Sequence, residues 1–180
     1  MQLPELTDEK SEAYKAGYKT IAEISKERIR RVIKNIKNKD AFRQDLGFRV
    51  FKLDKSNFKQ WDNEPKSLQT SLTDHVEQIK KTANLEEVLY EVLLKDGFEL
   101  TTDVKKTKLG NKEVFSIENN LLLICLDEKL DLNLFKEMKK LNPHVVIVLD
   151  KGFKDNDQLK TNAVQSLGKN SDEEYILRSI

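Results

Sequence analysis

The chain has 180 residues, with 32 Lys and Arg against 31 Asp and Glu and a formal net charge of +1. This length suits one medium domain or two small ones. A single cysteine, Cys125, excludes an intrachain disulfide, and the near-neutral charge argues against a protein that coats nucleic acid non-specifically. The longest apolar runs are too short to span a bilayer, and no secretory leader is visible. We therefore expect a cytoplasmic α/β protein with no membrane partner.

The amino-terminal part of the sequence predicts helices. Isoleucine and valine recur at three- and four-residue spacings between 21 and 36, which is typical of an amphipathic helix. A shorter helix is predicted from about 8 to 16, with Thr7 as its N-cap and Gly17 beyond its end. The polar stretch that follows places a boundary between 40 and 47. The predicted domains are therefore a helical segment, 1–40, and a second module, 47–180.

The second module alternates strands with helices. A strand is predicted over 48–53 and a helix over 68–79. Asn84, with Glu87 three residues later, begins the clearest helix, which Gly97 ends. Further along, the patterns predict a β-hairpin over 103–117 and strands over 121–126, 145–149 and 174–179. Two predicted helices, over 131–141 and 156–167, separate these three strands. This order predicts a small α/β module with a β-hairpin and a βαβαβ, mostly parallel sheet.

Few residues in the sequence offer catalytic chemistry. No glycine-rich phosphate loop or nucleophile elbow occurs, and Cys125 lies in an apolar run typical of a buried structural thiol. Asp127 and Asp150 each follow a predicted buried strand, at the edge where open α/β sheets bind ligands. Two neighbouring carboxylates there could hold Mg²⁺. The alternative is that both are turn residues.

Basic residues outnumber acidic ones between 26 and 43. On the predicted helix, Arg28, Arg30, Arg31 and Lys34 form a candidate DNA-binding face that could contact phosphates. The alternative is an ordinary solvated face. Four aromatic residues downstream could stack on bases or anchor a polar loop on the core: Phe48, Phe51, Phe58 and Trp61.

Several segments resemble, in order, the modification subunits of type III restriction-modification systems. Residues 48–62 are similar to the stretch "GFRVFKLDSSN…W" that lies downstream of the catalytic region in that family, and 84–94 are similar to its helix "DLLYEILLK". Residues 145–153 and 160–165 resemble its ending, "VVFRDSGF…KTNAVQ". Residues 2–5 and 18–31 resemble the segment that precedes the first of these. The resemblance covers essentially the whole chain.

The resemblance implies an adenine-N6 DNA methyltransferase that uses S-adenosylmethionine. This sequence has neither an Asp-Pro-Pro-Tyr loop for the flipped adenine nor a Phe-x-Gly-x-Gly cofactor loop. We therefore expect a non-catalytic carboxyl-terminal region that binds no cofactor itself, with S-adenosylmethionine bound by the full-length parent. Its expected role is subunit assembly and DNA backbone contact, with a second modification subunit, the restriction subunit and DNA as partners.

Two alternatives remain open at this point. One is a metal-dependent phosphotransfer or nuclease domain that uses Asp127 and Asp150. The other is a DNA-binding module built on the basic helix. The three hypotheses place the functional residues on different elements, so the fold bears on each of them.

Overall fold

The computed structural model describes residues 3, 5–38, 46–59, 79–170 and 173–180. The chain divides into two compact units, 1–52 and 53–180. The first unit contains helices α1 (Glu12–Lys15) and α2 (Ile21–Lys37). Helix α2 begins with a complete capping box, in which Thr20 accepts the N–H of Glu23 and the Glu23 carboxylate accepts the N–H of Thr20. The long amphipathic helix predicted from the sequence is thus confirmed.

Helix α1 is shorter than predicted. Ser11, not Thr7, caps it, and the Ser11 hydroxyl accepts the N–H of Tyr14 at 3.1 Å. Thr7 is engaged elsewhere, because its hydroxyl donates to the carbonyl oxygen of Tyr18 at 2.7 Å. Gly17 follows the helix with a φ of +94°, a backbone conformation that favours glycine. Thr7 is therefore bonded to the segment that follows α1 and does not cap that helix.

The described strands of the second unit are β1 (Val104–Leu109), β2 (Lys112–Ile117), β3 (Leu122–Cys125), β4 (Val145–Val148), β5 (Lys169–Asn170), β6 (Glu173–Glu174) and β7 (Ile176–Ser179). Five of them form a mixed sheet with the order β1-β2-β3-β4-β7. Strand β2 pairs antiparallel with β1 and β3, whereas β3, β4 and β7 are parallel. The two short strands β5 and β6 form a separate ladder that precedes β7.

Three helices accompany the sheet: α3 (Leu85–Lys95), α4 (Leu132–Lys140) and α5 (Asp157–Leu167). Helix α4 connects β3 to β4, and α5 lies between β4 and β7, as in a βαβαβ unit. The predicted fold class is confirmed: a helical amino-terminal segment is followed by an α/β module that has a β-hairpin and a βαβαβ unit. The hairpin makes the whole sheet mixed, while the βαβαβ strands are parallel.

The sheet carries a buried core on each face because successive strand residues point to opposite sides. Leu123 and Cys125 of β3 pack with α4 and α5, whereas Leu122 and Ile124 pack with α3. Phe135 of α4 stacks on Phe153, with ring centroids 6.0 Å apart. Strands β3 and β4 are thus covered on both faces, which explains their continuous apolar sequences.

Side-chain caps set the starts of the three helices. Asp131 accepts the N–H of Leu134 at 2.9 Å, and Asn156 accepts the N–H of Leu159 at 2.9 Å. Asn84 caps α3 as predicted, although its side chain accepts the N–H of Glu86 rather than that of the third helical residue. Within the described ranges, no helix is both long and apolar enough to cross a membrane.

The predicted strand over 48–53 is wrong. These residues belong to no strand, and the next pairing along the chain is an isolated bridge between Phe58 and Ile79. The predicted helix over 68–79 lies outside the described residues except for Ile79, and Trp61 also lies outside them. The alternation of apolar and polar residues over 48–53 therefore did not suffice to define a strand, because a strand also needs a neighbouring strand with which to pair.

Candidate functional site

Helix α2 presents two chemically different faces. All four predicted DNA-binding residues are exposed: Arg28, Arg30, Arg31 and Lys34. The 3.6-residue turn of a helix puts Arg30, Arg31 and Lys34 on one side, whereas Arg28 lies one turn before Val32 on the other side. The opposite side carries Ile21, Ile29 and Val32, whose exposed fractions are 37%, 43% and 49%. No residue of α2 is buried. The helix thus offers a basic face and an apolar face to binding partners.

The basic face is partly neutralised by one acid of the same helix. Glu27 lies 2.9 Å from Arg31 Nε and 3.9 Å from the nearest nitrogen of Arg30. The Arg30 guanidinium also lies 6.0 Å from the centre of the Phe48 ring. Arg28 and Lys34 form no ion pair with another described residue. These two side chains are therefore the ones best placed to meet an external anion.

The other candidate residues lie at the carboxyl edge of the parallel strands. Asp127 follows β3 and lies 2.9 Å from Lys112 Nζ. Asp150 follows β4 and lies 2.6 Å from Lys160 Nζ. The loops that contain the two acids are joined by a hydrogen bond of 2.9 Å from the N–H of Leu130 to the carbonyl oxygen of Gly152. The structure thus places both predicted acids at this edge and gives each one its own lysine.

Hydrogen bonds from these lysines lower both carboxyl pKa values. Burial acts to raise the pKa of Asp127, but the hydrogen bonds from Lys112 and from the N–H of Lys129 outweigh it. The hydrogen bond from Lys160 is the main reason that the pKa of Asp150 lies below its ordinary value, with burial opposing it. Both acids are therefore ionised and paired at neutral pH. This arrangement favours a structural role over a shared Mg²⁺ ion.

Among the described residues, no group of three His, Cys, Asp or Glu side chains could hold a metal ion. Cys125 is buried, and burial raises the pKa of its thiol. Sequence reasoning missed Lys112 and Lys160 as the partners of the two acids. Neither pair could be inferred from the sequence, because Lys112 and Lys160 lie 15 and 10 positions away from the acids that they bind.

A third cluster joins the segment around Ser56 to helix α3. Glu91 of α3 accepts hydrogen bonds from the Ser56 hydroxyl and, at 2.7 Å, from the N–H of Asn57. Lys95, one turn further along, lies 3.0 Å from the same carboxylate and 3.6 Å from the centre of the Phe58 ring. Burial acts to raise the pKa of Glu91, but these donors lower it to about 2. We call this cluster the Glu91 latch.

The aromatic residues proposed for base stacking lie in different surroundings. Phe58 packs against the core on the α3 side of the sheet, as an anchor. Phe48 and Phe51 are exposed and lie in the first unit. The structure therefore does not bring these three rings together as one platform within a single unit.

A scan against models of known protein families and a search of curated proteins both found no match. The functional interpretation therefore depends on the residues and contacts described above.

Proposed function

We propose that this chain is the non-catalytic carboxyl-terminal region of a type III restriction-modification adenine-N6 DNA methyltransferase. In this role it assembles the modification subunit with a second copy and with the restriction subunit, and it contacts the DNA backbone. The observation that supports the proposal is a set of hydrogen bonds between sequence segments that each resemble part of this family. The pairs Asp150–Lys160 and Asn57–Glu91 each join residues that the family resemblance had singled out separately.

The two faces of α2 support the two parts of this role. Lys34, on the same side as Arg30 and Arg31, is an exposed cation that can neutralise a phosphate without breaking an ion pair to another described residue. Ile29 and Val32, on the side opposite Lys34, are apolar and about half exposed. An amphipathic helix of this kind docks in an apolar groove by its aliphatic residues. One helix can thus bind protein and DNA at once.

The DNA part is tested by the salt dependence of duplex binding. Fluorescence anisotropy with a labelled DNA duplex would compare the unaltered chain with Arg30→Glu/Lys34→Glu. Because each phosphate contact contributes about 0.9 to the slope of log K against log salt, the variant is expected to lose about 2 from that slope. Lys10→Glu/Lys136→Glu is the matched control, since it makes the same charge change away from α2. Equal slopes for the two double variants would contradict DNA contact by this face.

The assembly part is tested by co-purification from cells that express a type III modification subunit and restriction subunit from the same genome. The tagged chain is expected to bring down at least one of them. Ile29→Asp or Val32→Asp should weaken this association, because a charge in an apolar contact must be desolvated. Asn35→Asp, an exposed change on the same helix, is the control. Failure to co-purify, or equal recovery with all variants, would contradict the assembly role.

A further inference from the structure

Helix α3 ends in an Asp-Gly pair, the only one in the sequence. Asp96 is the C-cap, and Gly97 follows it with a φ of +84°. The N–H of Gly97 donates to the carbonyl oxygen of Leu94 at 3.1 Å. The next N–H, that of Phe98, donates to the carbonyl oxygen of Leu93 at 2.9 Å. These bonds form a Schellman motif, whose left-handed residue is usually glycine, so the way this helix ends favours a glycine directly after Asp96.

An Asp-Gly pair is chemically reactive because glycine places no side chain beside its backbone nitrogen. The nitrogen of Gly97 can attack Cγ of Asp96, which forms an N–Cγ bond and expels the carboxyl hydroxyl and the amide proton as water. A second water molecule then opens the resulting succinimide ring. Opening at Cγ restores aspartate, whereas opening at the backbone carbonyl carbon yields isoaspartate, which lengthens the main chain by one methylene group. The conversion therefore needs no reactant other than water.

The folded conformation holds the pair away from the geometry of ring closure. Closure requires Cβ of Asp96 and the nitrogen of Gly97 to be nearly eclipsed about the Cα–C bond, which the ψ of 1° at Asp96 does not allow. The side chain of Asp96 is also fixed, because its carboxylate is ion-paired with Arg178 of β7. The reaction must therefore pass through a local opening of the end of α3.

The surroundings of this helix end permit such an opening. Gly97 is exposed and, with Phe98 and Glu99, lines an open cavity of about 430 Å³. A Cβ added to Gly97 would meet no atom of the described residues within 4 Å. The side chain of Arg178 is 45% exposed, so water can replace its contact with Asp96. The ion pair is thus a contact that both restrains the helix end and can be broken.

We propose that Asp96 is a site of isoaspartate formation and that Arg178 protects it by holding the end of α3 closed. The added methylene group of isoaspartate displaces the N–H groups of Gly97 and Phe98 from the carbonyl oxygens that they bind. It also moves the carboxylate away from Arg178. The modification therefore loosens the end of α3 and its contact with β7, without an enzyme or a cofactor.

Peptide mapping of the purified chain after prolonged incubation near neutral pH tests the site. Electron-transfer fragmentation of peptides that contain both Asp96 and Asp103 distinguishes isoaspartate from aspartate at each position. Asp103 is the internal control, because the β-branched Val104 follows it. Isoaspartate is expected at position 96 and not at 103, and faster in the chain unfolded in urea. If position 96 stays unmodified in the folded chain while it is converted in the unfolded chain, the proposal is overturned.

Replacing Arg178 tests its protecting role. Arg178→Gln should form isoaspartate at position 96 roughly two- to fivefold faster, which is the change expected when one partly exposed ion pair is lost. Lys106→Gln is the matched control, since it removes the exposed pair with Glu113 on the hairpin and should leave the rate at position 96 unchanged. Circular dichroism would verify that both variants fold. Equal rates for the two variants would show that Arg178 has no protecting role.

Discussion

Replacing Glu91 by Gln is the most informative single test of how the α/β module is held together. The Glu91 latch joins the segment around Ser56 to α3 through hydrogen bonds to one carboxylate. Gln keeps the size of the side chain but removes its charge. The donors from Ser56 and Asn57 then lose a charged acceptor, and Lys95 loses its ion-pair partner. We expect a less stable protein in which this segment opens more often.

The pKa of Glu91 sets the size and the sign of the effect. A native pKa of about 2, against an ordinary 4.5, corresponds to at most about 3.4 kcal/mol of stability at neutral pH. Solvent screening of the exposed donors reduces this to about 1.5–2 kcal/mol. Because the native pKa is lowered, the contribution is complete above the unfolded-state value and disappears as the pH falls from about 5 toward 2. The difference between the unaltered chain and Glu91→Gln should shrink over that interval.

Urea unfolding at several pH values measures this difference, and amide hydrogen exchange locates it. The N–H of Asn57, which donates to Glu91 at 2.7 Å, should exchange faster in Glu91→Gln. Glu87→Gln on the same helix is the control, since that exposed carboxylate contributes at most about 0.5 kcal/mol through the helix dipole. A stability difference that does not change with pH, or unchanged exchange at Asn57, would refute the reasoning.

Three further changes probe the packing of the same unit. Gly152→Ala should lower the free energy of unfolding by about 1–3 kcal/mol in urea titrations, because a Cβ there would lie 2.6 Å from Leu130 Cγ. Asp150→Asn should cost about 0.5–1 kcal/mol at pH 7 through loss of its pair with the half-exposed Lys160, and less at acidic pH because the pKa of Asp150 is lowered. The buried Cys125 thiol, whose pKa burial raises, should react with a thiol reagent only at the rate of unfolding.

The elements predicted well from the sequence are those whose signals are local. A period of 3.6 residues predicted α2, and a capping asparagine with a final glycine predicted α3, where Asn84 makes the cap. A glycine turn between two polar strands defined the hairpin, in which Leu109 pairs with Lys112 around Gly110. Such signals need only the residues within one element, so they are visible without the tertiary structure.

The features that the sequence did not reveal depend on distant residues. The strand predicted over 48–53 was wrong because the alternation of apolar and polar residues does not specify a neighbouring strand with which it would pair. The role of Glu91 was not predicted, because its donors lie 34 and 35 residues earlier. Asp127 and Asp150 were placed correctly at the ends of their strands, but their lysine partners depend on how the hairpin and α5 fold back. Such pairings follow from packing and cannot be inferred from spacing alone.

The contacts separate residues that maintain the fold from residues that are available for binding. Asp150, Lys160 and Glu91 each form a side-chain contact within the module. Their substitution should therefore change stability first and binding only as a consequence. Arg28 and Lys34 are exposed on helix α2 and form no ion pair with another described residue. Substitutions there should change association at constant stability, so measuring both quantities for each variant distinguishes assembly surfaces from structural contacts.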